Sequence, residues 1–180
     1  MIGIGKNRNG GIALDHRIKR LVYLSLLAAL CCVATMAIPI PTPTGGYLNA
    51  GDIIVVFTAL LAGPVWGGVS MGVGSMLADV FAGFAVYAPG TLLAKGLAAV
   101  VTGLLYRKTR KPIVSAVCGE FVMVALYFFY ESLALGYGLA ASAEILGNLL
   151  QGAVGVAGGT ALWHALRKVP EIKEFEQSFE

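Results

Sequence analysis

The chain has 180 residues, of which 57% are hydrophobic and only 13% charged, where an ordinary soluble domain carries about 25% charged residues. That balance excludes a water-soluble globular domain and describes an all-α integral membrane protein of one compact domain. The net charge of +3 is no nucleic-acid footprint, and its meaning lies in where the basic residues fall.

Met1 to Arg20 is polar, contains Lys6, Arg8, Arg17, Lys19 and Arg20, and reads as a cytoplasmic lead-in with a short surface helix from Ala13. Leu21 to Ile38 is the first membrane helix; its apolar run exceeds a signal-peptide core and no A-x-A site follows it. The adjacent Cys31 and Cys32, like Cys118, lack metal-ligand spacing and read as small apolar filler. Prolines and glycines keep the uncharged stretch Pro39 to Gly51 out of helix. Asp52 opens an apolar run to Ala62, where as an N-cap it would satisfy free amides, and Gly63-Pro64 breaks that run. Val65 to Ala82 follows, with Gly68 and Gly72, and Ser70 and Gly74, as small-xxx-small pairs that let helices approach. Gly83 to Tyr87 is a turn, Ala88 to Tyr106 a helix, and Arg107 to Lys111 a basic loop. Ile113 to Leu133 and Ala141 to Leu166 are the last two long helices, separated by a loop near Gly136, and the tail from Arg167 is charged and soluble.

The run from Asp52 to Ala62 spans about 16 Å as a helix, roughly half of a bilayer core. Parity decides that it crosses. The clusters Arg17-Lys19-Arg20 and Arg107-Lys108-Arg110-Lys111 both belong in the cytoplasm, so an even number of crossings lies between them. Four rather than three crossings, and two more after the basic loop, give six transmembrane helices with both termini cytoplasmic. The segments are then 1–20 (cytoplasmic), 21–166 (six-helix membrane domain) and 167–180 (cytoplasmic tail), with all basic residues except Lys95 on the inner side.

This topology places polar groups of four helices in the outer half of the bundle. Asp79 ends the third helix, Lys95 lies about two turns below the outer end of the fourth, and Glu131 ends the fifth with Tyr127 one turn deeper. Glu144, Asn148 and Gln151 recur at spacings of four and three on one face of the sixth. Buried unpaired, such groups cost several kcal/mol each, so they pair with one another or with a ligand. Asp79 and Lys95 either form an ion pair or face the ligand, and Glu131 and Glu144 either face it or sit among headgroups. Asn148 and Gln151 are too deep for solvation and read as ligand-facing. Tyr47 and Asn49, in the loop above, read as lid contacts or as turn residues. Glu120 lies in the inner half, where a structural or coupling role suits it, and His164 near the cytoplasmic end suits packing.

Six short helices, the segment I-P-I-P-T-P-T-G-G-Y-L-N-A-G-D, then G-S-M-L-A-D-V-F-A-G-F-A-V-Y-A-P, L-L-A-K-G-L and G-N-L-L-Q-G together resemble the substrate-binding (S) component of energy-coupling factor (ECF) vitamin transporters. The order of these motifs is closest to the branch that handles pyridoxine and hydroxymethylpyrimidine, and the resemblance covers roughly Ile18 to Arg167. It implies a subunit in the bacterial-type cell membrane that captures a vitamin from outside and docks on a transmembrane coupling (T) subunit with two ATPases. It also implies a docking surface on the first helix, matched by Ser25 with Ala29 and by Ala28 with Cys32. No G-x-x-x-x-G-K-[ST] pattern is present, so ATP and magnesium belong to the partner ATPases and no cofactor is expected in this chain. Lys95, Glu131, Glu144, Asn148 and Gln151 are expected to hydrogen-bond the vitamin, with Tyr47, Tyr87 and Tyr127 as walls. Pantothenate, carrying a carboxylate, would lean on Lys95. An independent carrier needing no ATPase is the main rival, although no internal repeat supports it. An enzyme is not expected, because neither His16 nor His164 lies near a nucleophile in the outer cluster.

Overall fold

The computed structural model describes residues 5–6, 12–13, 16–37, 39–42, 45–177 and 179. The expectations placed on Arg8, Ile38, Pro43 and Thr44, and on most of the lead-in before His16, lie outside those residues. The helices are α1 (His16–Ala37), α2 (Gly51–Phe81), α3 (Ala88–Thr109), α4 (Pro112–Phe129), α5 (Ile145–Leu166) and α6 (Pro170–Gln177). Strands β1 (Gly5–Lys6) and β2 (Ile12–Ala13) pair antiparallel, as do β3 (Ile40–Pro41) and β4 (Tyr47–Leu48). Ala13 thus belongs to a strand, and the first helix begins three residues later at His16. Among the described residues, five helical stretches are long and apolar enough to cross a membrane: Arg17–Ala37, Gly51–Phe81, Ala88–Thr109, Pro112–Ala134 and Gly138–Leu166.

α2 is a hairpin. Gly63 has φ 76° and ψ −172°, outside helical geometry, and Pro64 follows it, where its ring and missing N–H forbid a continuous hydrogen-bond ladder. A Cβ at Gly67 would lie 3.0 Å from the Cα of Ala59, although along one straight helix these residues stand about 12 Å apart. Cys31 of α1 confirms the reversal: its Sγ lies 3.9 Å from the Gly51 carbonyl and 3.3 Å from Ser75 Oγ, two positions equally far from Gly63 along the chain. The break expected at Gly63-Pro64 therefore separates two antiparallel arms, 51–62 and 64–81.

The first arm is the axis of the bundle. Every residue of 51–62 is buried except the partly buried Ile53, as expected of a helix that is apolar all round. α1, α3, α5 and the second arm surround it, so its short length meets protein rather than lipid. Close approach needs small residues. A Cβ at Gly155 of α5 would stand 2.6 Å from Asp52 Cβ, and one at Gly74 would stand 3.0 Å from Ala28 Cα. The core continues through Cys31, Val55, Ala59 and Met71 on one side and Leu60, Tyr106, Ala116 and Trp163 on the other.

Two departures from the sequence reading concern helix ends. α3 runs on to Thr109, with Arg107 and Lys108 in its last turn, where cations suit the negative end of the helix dipole. The charged tail after Arg167 carries a further helix: α6 folds back and buries Phe175 against Leu24, Tyr106 and Trp163, with Ile172 and Phe179 beside it. Ile172, Phe175 and Phe179, spaced by three and four, give the tail one apolar face.

Gly63→Ala would place a Cβ where the Arg107 guanidinium packs and in a backbone region open essentially to glycine alone, at a cost of about 1–3 kcal/mol. A lowered melting temperature of the detergent-purified protein is expected; an unchanged one would show that the reversal does not depend on this φ.

Candidate binding site

At the end of the bundle opposite Gly63, all five long helical units and the β3–β4 hairpin converge on one cleft. α1 contributes Thr35, the second arm of α2 contributes Ser75 and Asp79, and α3 contributes Thr91 and Lys95, with Tyr87 at its N-cap. Tyr127 comes from α4, and Glu131 from the π-helical turn Tyr130–Ala134 that continues it. Such turns widen a helix locally and often mark functional positions. The 3-10 helix Gly138–Glu144 and α5 contribute Glu144, Asn148 and Gln151, and the hairpin region lays Thr42, Gly46, Tyr47 and Asn49 over the top. All ten residues expected to face a ligand line this cleft.

Its floor is an ion pair. Lys95 Nζ donates to Asp52 Oδ1 at 2.5 Å, and both side chains are at most 2% exposed. Gln151 Nε2 donates to Asp52 Oδ2 at 2.7 Å, and Gln151 Oε1 accepts from the Asn49 backbone N–H at 2.7 Å. Asn49 Oδ1 in turn accepts from the Gly51 N–H at 2.9 Å. Gln151 reaches this far because glycine at position 155 lets α5 lie against Asp52. The Lys95 ammonium also stands 5.5 Å from the centre of the Tyr127 ring, a cation–π arrangement. Two sequence expectations are corrected here. Asp52 caps nothing, since the N-cap position of α2 is Ala50 without a side-chain bond. Lys95 pairs with Asp52 and not with Asp79.

Asp79 instead accepts from the Tyr47 hydroxyl at 2.7 Å, while the Tyr47 ring packs 4.5 Å from that of Phe84. Burial, and then the Asp79 carboxylate, push the Tyr47 hydroxyl up from its usual value, so it remains the donor across the physiological range. Thr91 Oγ1 and the Tyr127 hydroxyl are 2.9 Å apart. Thr35 Oγ1, Thr42 Oγ1 and Asp79 Oδ2 are buried at the cleft with no hydrogen-bond partner among the described residues. Such atoms are the usual mark of a polar ligand site. The cavity between the walls measures about 30 Å³, room for a water or two.

Sequence reasoning missed Asp52, Thr35, Thr42, Ser75 and Thr91. Asp52 carried a signal: a lone carboxylate opening an uncharged apolar run needs a partner. The hydroxyls carried none, because Ser and Thr are common in membrane helices for packing alone. Of the four residues expected to dock a partner, Ser25 and Ala29 are exposed on α1, whereas Ala28 lies against Gly74 and Cys32 is buried. His164 packs edge-on to Trp163, ring centroids 4.9 Å apart, far from the cleft in the fold.

Residues 15–168 match the model of the family described as ECF-type riboflavin transporter, S component. A protein of Pyrococcus woesei, described as an uncharacterized protein in the gap 3' region, is 38% identical over 140 residues, which are 76% of this chain and 93% of that one.

Removing one member of the buried pair strands the other charge, at a cost of about 3–5 kcal/mol. Lys95→Met and Asp52→Leu are each expected to lower the melting temperature strongly, and the double variant to recover most of the loss. Additive losses in the double variant would mean that the two charges are not coupled.

Proposed function

The chain belongs to the S components of ECF-type riboflavin transporters, and from that premise we propose that its cleft captures a flat, hydroxyl-bearing heteroaromatic vitamin, riboflavin first. Members of this family are membrane subunits that bind a vitamin, associate with T and ATPase subunits, and are not enzymes. The observation that carries the ligand reading is the convergence of five helical units and a hairpin on one polar cleft inside an apolar bundle. Three carboxylates, Asp79, Glu131 and Glu144, line it, while the one ammonium, Lys95, is neutralised by Asp52. Such a wall accepts hydrogen bonds and repels anions. It suits the hydroxyls of a ribityl chain or a pyridine alcohol, with Tyr87 and Tyr127 beside the ring, and disfavours pantothenate. Pyridoxine or hydroxymethylpyrimidine is the second reading, favoured by the narrowness of the cleft, because a single ring needs less opening.

In this reading the cleft faces outward and both termini are cytoplasmic, with the arms of α2 counted as two of six crossings. The basic residues support it: Arg107, Arg110 and Arg167 gather with α6 at the Gly63 end, and among the described residues Lys95 is the one basic side chain that lines the cleft. The β3–β4 hairpin is the lid. Vitamin binding breaks and remakes the Tyr47–Asp79 and Asn49–Gln151 bonds that hold it down. The exposed pair Ser25 and Ala29 is the face offered to the T subunit, and the coupled ATPases supply the energy for release inside.

Mass spectrometry of molecules released on denaturing the detergent-purified protein identifies the ligand, and titration with riboflavin and with pyridoxine ranks the two. Asn148→Leu and Gln151→Leu are each expected to weaken binding by tenfold or more, about 1.4 kcal/mol, in a bundle that still purifies as one species. Unchanged affinity in both would remove α5 from the site. Ala29→Trp should leave binding intact and abolish ATP-driven uptake; uptake into vesicles lacking any T subunit and ATPases would instead establish an independent carrier.

A further inference from the structure

A second cavity lies away from the vitamin cleft, between α4 and α5. It measures about 450 Å³ and is walled by Val117, Phe121 and Val124 of α4 and by Leu149, Ala153 and Val156 of α5. Phe121, Leu149 and Ala153 are exposed on the outer surface of the bundle, so the groove opens sideways, towards the lipid that surrounds these membrane-crossing helices. Apolar grooves in a bilayer are ordinarily filled by lipid tails, and on its walls alone this one would call for nothing else.

One residue breaks that pattern. Glu120 lies about 12 Å along α4 from its start, lines the groove, and is 95% buried, its relative exposure being 5%. Its Oε2 has no hydrogen-bond partner among the described residues. Across the groove the backbone of Gly152 leaves space for it, since a Cβ there would stand 3.3 Å from that oxygen. Glu120 is not among the residues that line the vitamin cleft. The Asp52–Lys95 pair stands within electrostatic reach of Glu120 but gives Oε2 no hydrogen bond; a buried carboxyl oxygen without a donor is costly, and a plain acyl tail offers no donor. The groove and the carboxyl together therefore specify an occupant: an apolar chain ending in a group that donates a hydrogen bond.

We propose that the α4–α5 groove is a second ligand site, reached from the lipid, which takes a long-chain alcohol-like amphiphile with its head donating to Glu120 and its chain along Phe121, Leu149 and Val156. Occupied, it wedges α4 against α5 next to Gln151, and so bears on the helix pair that carries Tyr127, Asn148 and Gln151 of the vitamin cleft.

Dicyclohexylcarbodiimide, an apolar reagent, tests the site in proteoliposomes. The carboxylic acid proton passes to a carbodiimide nitrogen while the carboxyl oxygen bonds to the central carbon; the adduct then rearranges to an N-acylurea without a leaving group, adding the whole reagent mass. The expected result is one adduct, mapped by peptide mass spectrometry to Glu120 and absent in Glu120→Gln. Dodecanol should slow its formation roughly tenfold, the equivalent of about 1.4 kcal/mol of binding, whereas dodecane should not. Ala157→Phe, which fills the groove from an exposed position, should slow it similarly while retaining the parent melting temperature. No adduct at Glu120, equal labelling by a water-soluble carbodiimide, or equal protection by dodecane and dodecanol would each overturn the proposal.

Discussion

The pairing of Lys95 with Asp52 is the interaction on which the rest of the structure depends. Taking two charges out of water is expensive, and only close geometry with further hydrogen bonds offsets it. Here Asp52 has both oxygens occupied, one by the ammonium and one by the Gln151 amide. That single carboxylate thus ties the start of the buried first arm of α2 to α3 and to α5. Through Gln151 it also fixes the chain at Asn49, just after the hairpin that covers the cleft. Floor, wall and lid meet at one side chain. The packing around it follows: α5 approaches through Gly155, and α1 supplies Cys31 against the same level of both α2 arms.

This arrangement explains why a bundle so apolar holds so many polar groups at one end. The ion pair neutralises its own charges, leaving Asp79, Glu131 and Glu144 as the chemical character of the cleft. The site offers acceptors and aromatic faces rather than a free cation, and under the proposed function that balance favours neutral, hydroxyl-rich guests over carboxylates. Selectivity of this kind rests on the penalty for the wrong partner as much as on attraction for the right one. The cavity is small, and the hairpin over it is held by the Tyr47–Asp79 bond and the Asn49–Gln151 bond.

Much of this was legible in the sequence, and what was not has a common cause. Apolar runs broken by glycine and proline marked the helices, and the reversal at Gly63-Pro64 followed from requiring both basic clusters on one side. The polar stripe Glu144, Asn148 and Gln151 was readable because three positions on one helix share a face by periodicity alone. The partner of Lys95 was not, since Asp52 lies 43 residues away and only packing decides between it and Asp79. The faces of α1 were hidden for the same reason: Ala28 and Ala29 are equally small, and only the position of Gly74 turns the first inward. The fold-back of α6 was written in Ile172, Phe175 and Phe179, but a short amphipathic segment needs an acceptor surface before its pattern means anything.

The buried first arm of α2 also bears on how the protein is made. Twelve residues enclosed by other helices are too short to partition into a bilayer core of about 30 Å on their own. Their backbone ends would meet hydrocarbon before any neighbour arrived to shield them. The arm therefore has to leave the insertion machinery together with 64–81, as a preformed helical hairpin turned at Gly63. α3 and α5 can close around it only later in synthesis. Until Lys95 emerges, Asp52 lacks the cation it pairs with in the folded bundle. Closure of the bundle around this arm thus waits on the arrival of α3.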